Sequence, residues 1–362
     1  MLRSLLIAAA PAALALAACS TPAAPDAETI RAQAAPGGTP TLTPQTSGTI
    51  NRLQAISAVS PRIAWASGVG GTYAVTTDGG DTWRAGVVPG GEALQFRDVE
   101  AVSAHVAYLM AAGTGADSRI YKTEDGGATW TLQFTNQDPA GFYDCFAFWN
   151  PRRGIVFGDA VNGRFPVLRT TDGETWTDIG DQLPAAQPLE IAFAASGTCV
   201  TTQGGQHAWI VTGGAEEARV LATTDGGDSW DAYGTPIVQG TDASGGFSID
   251  FRDPHHGILA GGDLADEGVP TDNVAVSDDG GRTWELAAPT PFPGAAFGLS
   301  YVRGLGQRTV VATGPGGAAW SADEGGSWIL LSGVEGYWAV AFASPQAGWL
   351  VGTEGRILKI SF

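Results

Sequence analysis

The sequence predicts an all-β fold, a seven-bladed β-propeller of four-stranded antiparallel blades whose ring is closed by an N-terminal strand. Three observations carry this. Trp83, Trp130, Trp176, Trp230, Trp284 and Trp328 recur in steps of 47, 46, 54, 54 and 44 residues, each ending a copy of one short motif. Three short strand signals precede every copy and one follows it, which is the content of a propeller blade. The 362 residues include 52 Gly and 21 Pro without a Gly-X-Y period, a composition of many tight turns.

The motif reads S/T-x-D-x-G-x-S/T-W. Its aspartates are Asp78, Asp125, Asp172, Asp225, Asp279 and Asp323, and the copy from Thr170 to Trp176 lacks one residue. It resembles the Asp box, or BNR repeat, of sialidase-type propellers. Its residue types are those of a turn. Asp accepts backbone N–H groups, Gly allows positive φ, Ser or Thr adds a local bond, and Trp buries a large ring between sheets. One aspartate per blade, spread round a ring, does not converge on a ligand, so the boxes are expected to be structural.

In the first unit the strands are expected at Leu53–Val59, Arg62–Ser67 and Thr72–Thr76. Five further units follow the same plan, the fourth less regularly, with Thr198–Thr202 as its first strand. A seventh unit, Trp338–Ala343, Gly348–Gly352 and Arg356–Ile360, has no box and no fourth strand before the chain ends at Phe362. Thr41–Ser47 is the expected fourth strand, closing one ring over residues 41–362 and removing its open edges.

Met1-Leu2-Arg3 leads into an apolar run from Leu5 to Ala18, too short to span a bilayer but of signal-peptide length. Leu16-Ala17-Ala18-Cys19 resembles the bacterial lipobox, which implies cleavage before Cys19 and a diacylglycerol on its thiol. Residues 1–18 thus read as a lipoprotein signal peptide and 19–40, rich in Ala, Pro and Thr, as a flexible tether. The expected address is the cell envelope, periplasm-facing, with Ser20 resembling the signal for the outer membrane if the source is Gram-negative. The membrane is reached through lipid on Cys19.

The blades together with Gln45-Thr-Ser-Gly48-Thr, Phe142–Trp149 and Gly158–Phe165 resemble the photosystem II stability/assembly-factor-like BNR propellers along essentially the whole mature chain. That resemblance implies a non-catalytic scaffold binding a protein partner, although bacterial members are often labelled oxidoreductases or glycosyl hydrolases. With 37 acidic against 19 basic residues and a net charge of −18, a nucleic-acid partner is not expected. A monomer without cofactor or metal is expected.

Propeller topology puts the boxes and the 1–2 turns on one face, and the 2–3 and 4–1 loops on the other. The loop face is where binding is expected. Its candidate residues are Arg97, Asp98, Tyr143, Asp144, Asp159, Arg164 and Glu190, as a mouth to the central channel; mutual salt bridging is the bland alternative. A sialidase-type glycosidase is the runner-up, faintly echoed by Arg164-Phe-Pro166, but no arginine triad can be assembled from spacing. No G-x-G-x-x-G supports a dinucleotide enzyme. His255 and His256 sit in a turn and read as solvated. Cys145 and Cys199 occupy similar places on the inner strands of adjacent blades, where either a disulfide or two buried thiols is possible.

Overall fold

The computed structural model describes residues 38–306 and 308–362. The expected signal peptide, Cys19 and the expected tether up to residue 37 lie outside the described residues. Seven four-stranded antiparallel sheets form the body. The first strands of blades one to seven are Leu53–Ser60, Phe96–Ala101, Tyr143–Asn150, Val200–Gln203, Ser244–Phe251, Gly298–Tyr301 and Tyr337–Ser344. Helical content among the described residues is three single turns of 3-10 helix. No helix among them is long and apolar enough to cross a membrane.

Closure follows the expected route. Thr41–Thr46 pairs antiparallel with Arg356–Ser361, from Thr41 opposite Ser361 to Thr46 opposite Arg356, and completes blade seven. Gln45 fastens the seam further, accepting the indole N–H of Trp83 from blade one and of Trp349 from blade seven.

Each box is a self-contained turn. In the first, Thr76 Oγ1 donates to Asp78 Oδ1 at 2.8 Å, Thr82 N–H bonds the same oxygen, and Thr82 Oγ1 donates to Oδ2 at 2.6 Å. The copy that is one residue short keeps the design, Asp172 accepting from Thr170, Glu174 and Thr175. These hydroxyl and amide donors hold Asp78, Asp125 and Asp225 down at about 2, because they stabilise the ionised form. The box tryptophans pack across blade boundaries, Trp130 edge-on to Trp65 of blade one and Trp83 edge-on to Trp349 of blade seven. Trp65, Trp209 and Trp349 are fully buried, each ring contributing about 1.5–3 kcal/mol of apolar burial.

A disulfide joins Cys145 of blade three to Cys199 just before the first strand of blade four, with Cα atoms 5.9 Å apart.

Candidate functional site

The inner strands share a device that positions the site. Near its start, the first strand of blades one, two, three, five and seven skips one residue in its pairing. Such a bulge turns the skipped residue out of the ladder and re-aims its side chain. The skipped residues are Gln54, Arg97, Asp144, Phe247 and Trp338. They gather at the loop-face end of the channel.

That end is not open. Blade four has a short first strand, beginning only at Val200. The preceding small residues leave the sheet and turn across the channel. Arg97 of blade two reaches the Ala194 carbonyl at 3.5 Å, and Ala192 N–H bonds Asp159 of blade three at 3.1 Å. Phe193 packs on Phe247 of blade five with centroids 4.1 Å apart, and Ser196 Oγ donates to the Phe297 carbonyl ahead of blade six at 2.6 Å. Gly197, at φ +78°, lies so close to Asp98 that a Cβ there would fall 2.3 Å from its Oδ1, so only glycine fits. Contacts to four blades make residues 192–198 a plug.

The expected mouth is therefore corrected. Arg97, Asp144 and Asp159 do come together, but against the plug; Asp98 lies apart from them, under Gly197 and lining the cavity. Tyr143 does not join them: its ring packs edge-on to Phe134 at 5.5 Å, and burial pushes its hydroxyl well above the usual range. Arg164 is held at the outer side of its own blade by Asp178 and Asp181. Glu190, wholly buried, is gripped by Arg219 and Thr212 of blade four. The mutual salt bridging weighed as the alternative describes neither pair, since both run to residues outside the candidate set.

Asp144 is 1% exposed and its Oδ2 has no donor. Burial and the facing Asp159 carboxyl raise it well above the ordinary carboxylate range, while Arg97 pulls the other way. Asp159 is raised to about 6, chiefly by burial. Facing each other in a buried setting, the two carboxyls oppose one another's ionisation. Burial in turn lowers Arg97, with the nearby Arg52 adding to the effect.

Below the plug the channel is a blind cavity of about 250 Å³. Its lining includes Ser57, Glu100 and Thr201 of the inner strands and Arg303 just past the inner strand of blade six. Two buried carboxylates staple neighbouring blades there. Asp98 accepts Val99 N–H and the next blade's Phe146 N–H, both at 2.7 Å; Asp250 accepts Phe251 N–H and the next blade's Tyr301 N–H. Burial raises Glu100 to about 8. Sequence reasoning missed Glu100, Asp250, the plug and the aromatic bulge residues. An acidic residue in the first strands of blades two and five was the available signal for the staples; the bulges leave none.

On the box face, Tyr301 donates to Glu324 at 2.9 Å, and Arg252 and Arg308 both pair with Glu324. A tyrosine, a glutamate and arginines are the groups a sialidase uses. Here Tyr301 is 2% exposed and the arginines are neutralised by the protein's own carboxylate. No group of three or more His, Cys, Asp or Glu arranged to hold a metal occurs among the described residues.

The fold and its boxes define a class, the seven-bladed Asp-box propeller. The BNR/Asp-box repeat family model matches residues 275–286, the fifth box. Among solved structures, YCF48 bound to a D1 peptide matches with TM-score 0.63 and 16% identity, over 91% of this chain and 98% of that one. YCF48 from Cyanidioschyzon merolae matches with the same score and identity, over 88% and 98%. The GH74 xyloglucanase from Xanthomonas campestris matches at 0.57 and 15%, over 88% of this chain and 53% of that one. No curated protein matches by sequence. The chain carries the BNR/Asp-box repeat and is similar in fold to YCF48. At these identities, the likeness to the individual structures is one of fold.

Proposed function

We propose that the chain is a non-catalytic, extracytoplasmic scaffold, held to the envelope by lipid on Cys19, that binds a protein partner through its loop face. One observation carries the reading. Ile50, Leu189, Val269 and Leu264 are 87, 76, 65 and 51% exposed, and all four lie in loops of that face. The other exposed large aliphatics, Val87, Leu132, Leu286, Ile329 and Leu330, all lie in the outer fourth strands. Large apolar side chains standing out from rigidly held loops are what a protein interface uses. That YCF48 has been seen with a D1 peptide supports peptide binding as a use of this fold.

The plug favours a surface over a channel as the working part. The glycosidase reading draws on the GH74 neighbour and on Tyr301, Glu324 and their arginines; the buried tyrosine weighs against it.

A photo-crosslinking residue placed at Leu189 in intact cells is expected to yield discrete protein adducts, and one at Asp228 in the box of blade four none. Adducts from Asp228 alone would overturn the assignment of the face. Turnover of a fluorogenic sialoside or of xyloglucan, abolished by Glu324→Gln, would overturn the non-catalytic reading. Cys19→Ser is expected to release the protein from the membrane fraction, and unchanged sedimentation removes the anchor.

A further inference from the structure

The loop face is not uniformly apolar. Between the 2–3 loop of blade five and the segment entering blade six lies an open groove of about 350 Å³. Its floor is Phe297 with Pro293 and Pro315, and Leu264 stands at its rim. Asp266 and Glu267 line the same side. No ion pair among the described residues involves either carboxylate, and no Lys, Arg or His lines the groove.

The walls are preformed. Gly294 N–H bonds the Gly268 carbonyl at 2.7 Å, Leu264 N–H that of Ala243 at 3.0 Å, and Ala296 N–H that of Gly261 at 2.9 Å. Phe297 is fixed from behind, edge-on to Phe247 at 5.8 Å and to Trp338 at 5.6 Å. Trp338 is capped in turn by the Arg52 guanidinium, 5.0 Å from its ring. An aromatic floor held this way loses little entropy when covered.

We infer that this groove docks an extended segment of a protein partner carrying one aromatic or aliphatic anchor flanked by Lys or Arg. The anchor covers Phe297 between the two prolines, and the flanking cations meet Asp266 and Glu267. The choice of occupant follows from charge. An acidic segment would set its carboxylates against two unpaired ones on a chain of net charge −18, whereas a basic one is steered in and paired. A purely apolar ligand would leave both carboxylates dehydrated without a partner.

This inference rests on the loop face being the partner surface. The probe is a fluorescein-labelled heptapeptide with a central Phe flanked by lysines, compared with the same peptide bearing glutamates, by fluorescence polarisation on the full chain. The protein is expected to bind the basic peptide at least about tenfold more tightly, with affinity falling as salt rises. Asp266→Lys combined with Glu267→Lys is expected to reverse that preference. Leu264→Asp is a second variant, expected to weaken binding of the basic peptide through loss of the apolar rim. All three positions are in an exposed loop, and an unchanged melting temperature shows that the variants fold. Equal binding of both peptides by the parent protein, or an unaltered preference in the charge-reversed variant, overturns the groove assignment. If that happens while crosslinks from Leu189 persist, the loop face stands and the groove alone falls; if the crosslinks are also absent, both fall.

Discussion

The two faces of the ring are made of similar residue types put to opposite uses. On the box face, acidic side chains point into their own turns. Asp78 and its counterparts are saturated by donors a few residues away, and six near-identical copies present a repetitive, self-satisfied surface. On the loop face no two blades agree. One contributes the plug, one an acid-rimmed groove, and the bulges bring a glutamine, an arginine, an aspartate and two aromatics to one end of the channel. The repeat therefore spends its regularity on holding the ring and confines variation to the loops, where recognition can diverge without touching the frame.

That contrast can be broken in order of expected effect. Trp284→Ala removes a ring that is 8% exposed and edge-on to Phe251. It should cost about 3–5 kcal/mol, read by chemical denaturation. A loss no larger than that of a surface substitution would end the claim that the boxes hold the ring. Cys145→Ala with Cys199→Ala is expected to cost about 2–5 kcal/mol and to loosen the adjoining plug, seen as faster amide exchange at residues 192–198.

Protons separate the faces next. The box carboxylates have lowered values, so their stabilisation is present above about pH 4 and lost as pH falls through about 2. The buried mouth and channel carboxyls have raised values. Their stabilisation is full below about pH 4 and is lost as pH rises through about 6 for Asp159 and about 8 for Glu100. Asp144→Asn, which cannot ionise, should therefore raise stability at pH 8 by about 1–3 kcal/mol and leave it nearly unchanged at pH 4. Equal effects at both pH values, followed by thermal melts, would show that burial does not hold Asp144 above the ordinary carboxylate range. The smallest effect is Leu189→Asp, expected within about 0.5 kcal/mol of the parent while the partner that crosslinks at Leu189 in the parent no longer co-purifies with the variant.

The frame was legible because its signals are local. A turn that needs Asp, Gly and Trp at fixed offsets repeats six times, so the blades and the seam strand could be placed to within about three residues. The site was less legible because it depends on register. Asp144 and Tyr143 are neighbours in sequence, and a single skipped residue sends one to the mouth and the other between blades. Glu190, expected at the mouth, lies ten residues before the first strand of blade four begins at Val200, and Arg219 and Thr212 hold it there instead. The plug has no motif at all. It exists because small residues there can leave the sheet, and its partners come from blades far away along the chain.

The seam has a consequence for how the molecule is made. Thr41 meets Ser361, so the seventh blade takes one strand from the first part of the ring to be synthesised and its partner from the last. While Arg356–Ser361 is still inside the ribosome, the nascent ring is a crescent, and Thr41–Thr46 waits with bare backbone groups. Truncation before Arg356 would freeze that crescent and leave two edges ready to zip onto another copy.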